Sequence, residues 1–267
     1  MSKYEWQKTH QIIYHDELND DFNELENVAR PPVKPNYQYI HKNVFHRLLD
    51  NFVYYVIAKP ILGCYCLFHG IRYKGKKNLK ILKRSGAFIY SNHVAISDVF
   101  KYQSFIIHFK RVNIIGYSDA SSIPIAKSLV KSLGYLPIPN DNENMLKLKD
   151  ACIYLTKKRK EYVLIYPEAH IWPYYTKIRP FLSVSFHYPA EASIPVIPAV
   201  TIWRKVWYSK KPRQTVVFGA PIFPDKEKTV MENKKYLRDR CYEEMVKISQ
   251  SYKQVEYIKY INGNENK

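Results

Sequence analysis

One stretch of this sequence predicts both a buried strand and a reactive turn, and it reads Ala87-Phe88-Ile89-Tyr90-Ser91-Asn92-His93-Val94-Ala95-Ile96-Ser97-Asp98. Its first four residues are a short apolar run typical of a strand, and the apolar spacing from Val99 onward predicts a helix with one buried side. On one continuous helix His93 and Asp98 would lie roughly 140° apart around the axis. We therefore expect His93 in the turn, with its ring folded back toward Asp98.

The Asp98 carboxylate can accept the proton of one ring nitrogen of His93 and leave the other nitrogen free as a base. This pair has no nucleophile of its own, so it suits a reaction in which the substrate supplies the attacking hydroxyl. The alternative is a satisfied polar pair in a helix-capping turn, which the spacing alone does not exclude.

Strand and helix patterns alternate from Gly86 onward, which predicts βαβ units. The expected fold class is α/β, with a mainly parallel (mixed) sheet flanked by helices. The predicted strands after the first are residues 112–115, 135–138, 162–166, 194–201 and 215–218, and the predicted helices are 123–133, 144–158, 181–192 and 226–252. In such sheets ligands bind beyond the carboxyl ends of the strands. His93 and Glu168 both follow strand ends, and this favours a catalytic role for His93.

Composition indicates a globular chain with an anionic partner. The chain has 267 residues, 46% of them hydrophobic, and a net charge of +18. A basic balance of this size predicts contact with nucleic acid, a membrane surface or phosphorylated small molecules. The four cysteines show no metal-ligand spacing and suit a reducing compartment, and no signal peptide is expected after Met1.

The charge pattern divides the chain into three predicted parts. Residues 1–35 form an acidic, poorly packed or peripheral arm that ends in a proline-rich linker, with seven acids and three bases in its first 30 residues. Residues 36–84 form an apolar helical membrane-anchoring segment with a basic cluster, and residues 85–267 form the α/β domain.

The membrane segment is predicted from an apolar run, residues 52–68, followed at once by seven bases between Arg72 and Arg84. Lys59-Pro60 interrupts the run at its centre, where charge and a missing backbone donor are costly. We therefore expect two short helices that dip into one leaflet, with the bases against anionic lipid. A buried hairpin with a solvated basic loop is the alternative. The aromatic and basic segment 203–211 is a second candidate contact.

Four segments in order resemble the motifs of a known family. Asn92-His93-x4-Asp98 matches the first; Gly134 and its strand match the second, but Pro139 stands in place of an arginine. In the third, Pro167-Glu168 is followed by Ala169-His170-Ile171 where the family has Gly-Thr-Arg, and the fourth is the proline-containing strand 194–200. Residues 85–220 thus resemble the glycerolipid acyltransferase family that contains the lysophosphatidate acyltransferases.

The resemblance implies roles for individual residues. His93, oriented by Asp98, would be the base, and the other predicted site residues would shape the substrate site: Asn92, Gly134, Glu168, Trp172, Lys177, Arg179 and Pro195. Lys177 and Arg179 are the expected replacements for the missing phosphate-binding arginines, although surface solvation is the usual fate of such residues. Glu168 with His170 is a poor case for a metal site, and no metal or other cofactor is expected.

The sequence therefore predicts a membrane-associated O-acyltransferase of phospholipid biosynthesis. Its donor would be acyl-CoA or acyl-carrier protein as co-substrate, its acceptor a lysophospholipid or a glycerol-phosphate-type hydroxyl, and its location the cytoplasmic face of an anionic membrane as a peripheral or monotopic protein. Nucleic acid is not an expected partner of this enzyme. The alternative is a non-catalytic membrane- or nucleic-acid-binding protein on the same fold.

Overall fold

The computed structural model describes residues 10–22, 32–41, 43–104, 110–117 and 130–264. Within these residues a seven-stranded sheet has the order β2-β8-β7-β3-β6-β4-β5. Its strands, in chain order, are β2 Arg72–Lys74, β3 Ala87–Ser91, β4 Val112–Gly116, β5 Tyr135–Pro137, β6 Tyr162–Ile165, β7 Val196–Val206 and β8 Ser209–Phe218. All pairings in this sheet are parallel except that of β7 with β8. The predicted α/β fold with a mainly parallel (mixed) sheet is therefore confirmed.

The central strands are buried on both faces because each side of the sheet carries its own apolar core. In β3, Phe88 and Tyr90 belong to one core, and Ala87 and Ile89 belong to the other. This alternation is the period of two that a strand imposes on its side chains. Burial on both faces explains why Ala87 to Tyr90 form a continuous apolar run in the sequence.

The helices flank the sheet on both sides. In chain order the described helices are α1 Val44–Phe68, α2 Lys76–Lys80, α3 Asp98–Lys101, α4 Asn142–Lys157, α5 His187–Ala192 and α6 Val230–Gln250. Apolar residues of α4, α5 and α6 pack in the core with Phe88, while α1 and α2 contribute Cys66 and Leu79 to the core with Ala87. Most of the predicted helix 123–133, and the end of the helix predicted from Val99, lie outside the described residues.

Helix α1 corrects the prediction of two short helices around Lys59-Pro60. It is one continuous helix of 25 residues, and its middle, Val53–Ala58, is π-helical. Because the backbone N–H of Lys59 donates to Tyr54 O, five residues back, the wider turn leaves room for the Pro60 ring. The Lys59 side chain is buried and its ammonium donates to Lys110 O at 3.0 Å.

The outer face of α1 is apolar and uncovered by the rest of the described chain. Its exposed large side chains include Phe45 (71%), Leu48 (64%) and Phe68 (87%), and none of residues Val44–Phe52 is buried. Among the described helices, α1 is long and apolar enough to cross a bilayer, judged by length and composition alone. It is therefore a candidate membrane-contact segment.

The described part of the acidic arm, residues 10–22, is peripheral but makes specific contacts, so the alternative of poor packing does not hold there. Strand β1, Gln11–Tyr14, pairs in parallel with β9, Lys259–Asn262, in a separate two-stranded sheet. Beyond β1, the backbone oxygen of Asp20 accepts from the Trp172 indole at 2.7 Å, and Phe22 N–H donates to Ile171 O at 3.2 Å. The arm thus covers the loop that follows β6.

Candidate functional site

The site forms where β3 and β6 end side by side. These strands are parallel, with Tyr90 opposite Ile165, so the segments that follow them leave the same edge of the sheet. His93 comes two residues after β3, in an irregular turn, and α3 begins at Asp98. The predicted position of His93 in the turn, rather than on the helix, is confirmed.

The His93 ring contacts the Asp98 carboxylate, as its spacing predicts. Nδ1 of His93 lies 3.1 Å from Oδ2 of Asp98. The imidazole also stacks on the ring of Tyr166, with the two ring centres 4.1 Å apart, and this contact holds it in place. A carboxylate at Nδ1 favours the tautomer with the proton on that atom, which leaves Nε2 free to accept one. About 13% of the His93 side chain is exposed, whereas the Asp98 side chain is fully buried.

Asp98 is surrounded by donors. Oδ2 also accepts from the backbone N–H groups of Val94 (2.7 Å) and Ala95 (3.0 Å), and Oδ1 accepts from the Lys101 ammonium at 2.5 Å. Burial raises the pKa of Asp98, but the Lys101 charge and the hydrogen bonds outweigh it and leave that pKa below its ordinary value. Asp98 is therefore an ionised carboxylate that fixes both the turn and the ring of His93.

Lys101 is a part of the site that sequence reasoning missed. Its side chain is fully buried, and its ammonium also donates to Thr201 Oγ1 at 2.7 Å on β7. Its position three residues after Asp98 on the same helix face is the signal that could have identified it. Thr201 lies far away in the sequence, so no spacing could have shown it.

Asn92 and Glu168 hold the turn from two sides. The Asn92 amide pairs with the backbone of Thr201, through Oδ1 at 2.8 Å and Nδ2 at 3.1 Å. Glu168 Oε2 accepts from the backbone N–H of His93 at 3.3 Å. Both residues lie next to His93, as predicted, and the contacts through which they hold the turn are with protein backbone.

Arg179 is buried and its guanidinium contacts other groups of the protein, which contradicts its predicted role in binding an acceptor phosphate. Its guanidinium is 3.4 Å from Glu168 Oε2, stacks on Trp172 at 4.7 Å, and donates to the backbone oxygens of Glu17 and His170. Only 1% of Arg179 is exposed. Burial raises the pKa of Glu168, with the Arg179 charge opposing the rise. The pair holds the loop after β6.

Of the other predicted substrate residues, Trp172 is brought to His93 through its backbone, whose N–H donates to His93 O at 3.1 Å. Gly134 and Pro195 lie at the amino-terminal ends of β5 and β7, at the opposite edge of the sheet, which contradicts their predicted place in the site. Gly134 has φ +84°, and a side chain there would collide with Asn113. Trp172 is fully buried beneath the loop, and Lys177 is exposed on its surface.

A cavity of about 700 Å³ lies against the outer side of the turn. Val94, Ala95, Ile96 and Ser97, the four residues between His93 and Asp98, form one wall of it. No group of three or more histidine, cysteine or acidic side chains in the described parts of the chain is arranged to hold a metal ion.

The buried Glu168–Arg179 pair generates a stability prediction. We expect Arg179→Ala to lower the free energy of unfolding by about 3–5 kcal/mol, because it leaves the Glu168 carboxylate buried without its partner. Lys177→Ala, two residues away on the same loop, should change it by less than about 0.5 kcal/mol. Urea unfolding of both variants measures the difference, and equal stability of the two would contradict the structural role of Arg179.

A second prediction concerns Lys101. Lys101→Met keeps the length and packing of the side chain but removes the charge that faces Asp98, so we expect a loss of about 3–5 kcal/mol in the free energy of unfolding. The double variant Lys101→Met with Asp98→Asn should recover part of that loss, since no buried charge then lacks a partner. Additive losses in this double-mutant cycle would show that the two side chains are not coupled.

Comparisons with known proteins bear on the identity of this site. Residues 70–202, about half of the chain, match the family model "Acyltransferase". Among solved structures, the 1-acyl-sn-glycerophosphate (LPA) acyltransferase PlsC from Thermotoga maritima is similar, with 14% sequence identity, a TM-score of 0.48 and coverage of 79% of this chain and 99% of that chain. No curated protein sequence matches. The family match spans the His93–Asp98 turn, the Glu168 loop and the start of β7, and we conclude that the chain belongs to the acyltransferase family of O-acyltransferase enzymes.

Proposed function

We propose that this protein transfers a fatty acyl group from an acyl thioester to a hydroxyl of a lysophospholipid or glycerol-phosphate-type acceptor, with His93 as the base. The observation that carries the proposal is the 3.1 Å contact of His93 Nδ1 with the ionised carboxylate of Asp98. This contact leaves Nε2 as the proton acceptor of a ring that is partly exposed, and the four residues that follow His93 line a cavity. A positioned base of this kind contributes about 10²–10⁴-fold to a reaction rate.

The proposed reaction needs one proton transfer in each direction. His93 Nε2 takes the proton of the acceptor hydroxyl, and the oxygen attacks the thioester carbonyl carbon. When the tetrahedral intermediate collapses, the carbon–sulfur bond breaks and His93 returns the proton to the leaving thiolate. The products are an ester and a free thiol. Acyl-CoA and acyl-carrier protein both supply such a thioester, and the reaction needs no metal or other cofactor.

Asp98 serves this reaction as a positioning residue. Its carboxylate accepts three hydrogen bonds from the turn that holds His93. The imidazolium that forms during the reaction therefore lies against a negative charge, which stabilises it.

A membrane location fits both the acceptor and the surface of the protein. The apolar outer face of α1 is followed directly by the seven basic side chains of the cluster between Arg72 and Arg84, and all seven are exposed. We propose that α1 lies in the interface of one leaflet, as a monotopic helix on the cytoplasmic face, with the basic cluster against anionic lipid. Each base near such a surface contributes about 1 kcal/mol.

The second candidate function is a non-catalytic membrane- or nucleic-acid-binding protein on the same fold. The exposed basic cluster on β2 and α2 would suit it. Against it stands the buried network around Asp98, because a surface-binding protein has no use for a fully buried carboxylate and ammonium that orient one imidazole ring.

The base assignment is tested with His93→Ala. We expect acyl transfer from a radiolabelled acyl thioester to a lysophospholipid panel to fall by at least about 10²-fold, with the unfolding transition unchanged. Asp98→Ala is a poorer probe, since it leaves Lys101 buried without its carboxylate. His187→Gln is the matched control, because His187 also contacts a carboxylate, Glu191 at 2.9 Å, on the distant helix α5. A folded His93→Ala protein with near-normal transfer would remove the proposed mechanism.

The membrane proposal is tested by flotation with liposomes. We expect the protein to float with vesicles that contain anionic lipid and to be released partly at high salt, because salt screens the basic cluster but not the apolar face of α1. The double substitution Lys76→Gln and Lys77→Gln should weaken flotation on anionic vesicles, and Phe45→Asp should weaken it at every salt concentration. Equal flotation on neutral and anionic vesicles would exclude the electrostatic part.

A further inference from the structure

The cavity beside the His93 turn has an unusual lining. Besides the turn itself, its walls come from the end of α1, the arm, the loop after β6 and the β7–β8 hairpin. Four of its lining side chains are basic or can become so, namely His10, His69, Lys211 and Arg213, and no lining residue is an aspartate or glutamate. A concave surface with cations and no carboxylate attracts an anion.

Two arginines of the β7–β8 hairpin, Arg204 and Arg213, are placed where their like charges destabilise the strand pair. Arg213 on β8 lies directly opposite Arg204 on β7, and like charges directly opposite each other destabilise a strand pair. Neither arginine forms an ion pair with any side chain in the described ranges. Arg204 is held by Thr215 Oγ1 and Gly70 O, whereas Nε of Arg213 is buried with no hydrogen-bond partner among the described residues. The Arg213 guanidinium lies 6.0 Å from the centre of the Tyr208 ring, but its charge has no carboxylate partner among the described side chains and can serve an anion in the cavity.

Unpaired polar atoms of other lining residues support the same reading. Trp203 is 3% exposed and Gln214 is 7% exposed, and the two lie opposite each other on β7 and β8. Within the described part of the chain, the indole Nε1 of Trp203 and Oε1 of Gln214 are buried without a hydrogen-bond partner. Buried polar groups are nearly always satisfied in proteins, so this pair of atoms calls for a ligand or water in the cavity.

We propose that this cavity binds the phosphate ester of the acceptor head group, with Arg213 and Lys211 as the cations and Trp203 as an additional donor. The inference rests on the proposed acyl transfer and names its acceptor site. It relocates the phosphate contact to the β7–β8 hairpin, because Arg179 is buried against Glu168 and the exposed Lys177 does not line the cavity. A volume of about 700 Å³ is in the range of sites for drug-sized ligands. It therefore suits a head group larger than a phosphate monoester, packed against Tyr174 and Trp203.

The position of the cavity favours the lipid acceptor over the thioester donor as the source of the phosphate. Tyr65 and His69 from the end of the apolar helix α1 form part of its wall, and Trp207 at the hairpin turn is 95% exposed. Aromatic side chains of this kind concentrate at the level of lipid head groups. A lysolipid in the leaflet would place its phosphate at this height while its hydroxyl approaches the turn of His93.

Binding of water-soluble head groups tests the site without catalysis. We expect glycerol 3-phosphate and glycerophosphoglycerol to bind the full-length protein in isothermal titration calorimetry, with the diester the tighter of the two and glycerol alone not bound. Arg213→Gln and Lys211→Gln should each weaken binding by about tenfold or more, the loss typical of one charged hydrogen bond. Lys210→Gln, on the same hairpin but outside the cavity lining, is the matched control and should bind normally.

Stability separates a binding role of Arg213 from a structural one. Because Arg213→Gln removes the charge opposite Arg204, the melting temperature should stay the same or rise while binding weakens. A fall in melting temperature together with normal binding would show that Arg213 serves the fold, and would overturn the proposal.

Kinetics assign the source of the phosphate. For the acceptor site we expect Arg213→Gln to raise KM for the lysophospholipid about tenfold and to leave KM for the acyl thioester unchanged. The acceptor assignment would be overturned if adenosine 3′,5′-bisphosphate displaced glycerophosphoglycerol and if Arg213→Gln raised KM for the acyl thioester instead of KM for the lysophospholipid. If the wild type binds the head groups but transfers no acyl group, the proposed function fails and the phosphate site stands. If Arg213→Gln transfers acyl groups with an unchanged KM for the lysophospholipid, the phosphate site fails and the proposed function stands.

Discussion

The buried carboxylate of Asp98 is the point on which the site depends. Four donors reach it, from the ring of His93, two backbone amides of the turn and the ammonium of Lys101. A carboxylate with fewer partners in this position would be neutralised or would pull the turn apart, because burial of an isolated charge is costly. Lys101 also contacts Thr201 on β7, so the active turn is fastened to the centre of the sheet. The geometry of the proposed base is thus a property of the core and not of a surface loop.

The strands that frame the site could be predicted from sequence because their signals are local. An apolar run such as Ala87 to Tyr90 can only be buried, and the spacing of His93 and Asp98 restricts both to a turn and the helix after it. Arg179 could not be assigned in this way. A loop arginine between aromatic residues reads the same whether it faces a ligand or a buried carboxylate, and Glu168 is 11 positions away from it in a segment without regular structure.

Helix α1 shows a second limit of sequence reasoning. Lys59-Pro60 suggests a break, since a proline ring displaces a carbonyl in an α-helix. The π-helical middle removes that conflict, and the ammonium of Lys59 finds a backbone oxygen on the segment before β4. Net charge has a similar limit. A value of +18 indicates an anionic partner, but only the structure separates the exposed bases of β2 and α2 from Arg213, which lines the cavity without a carboxylate partner among the described side chains.

The pairing of β1 with β9 ties the loop after β6 to the order in which the chain is made. In the described part of the chain each of these strands has the other as its sheet partner. Gln11 pairs with Lys259, so the arm can dock only after the chain has been synthesised beyond residue 259. Closing a loop of that length is entropically slow relative to local contacts. The sheet and the turn of His93 can therefore assemble before the arm covers Trp172.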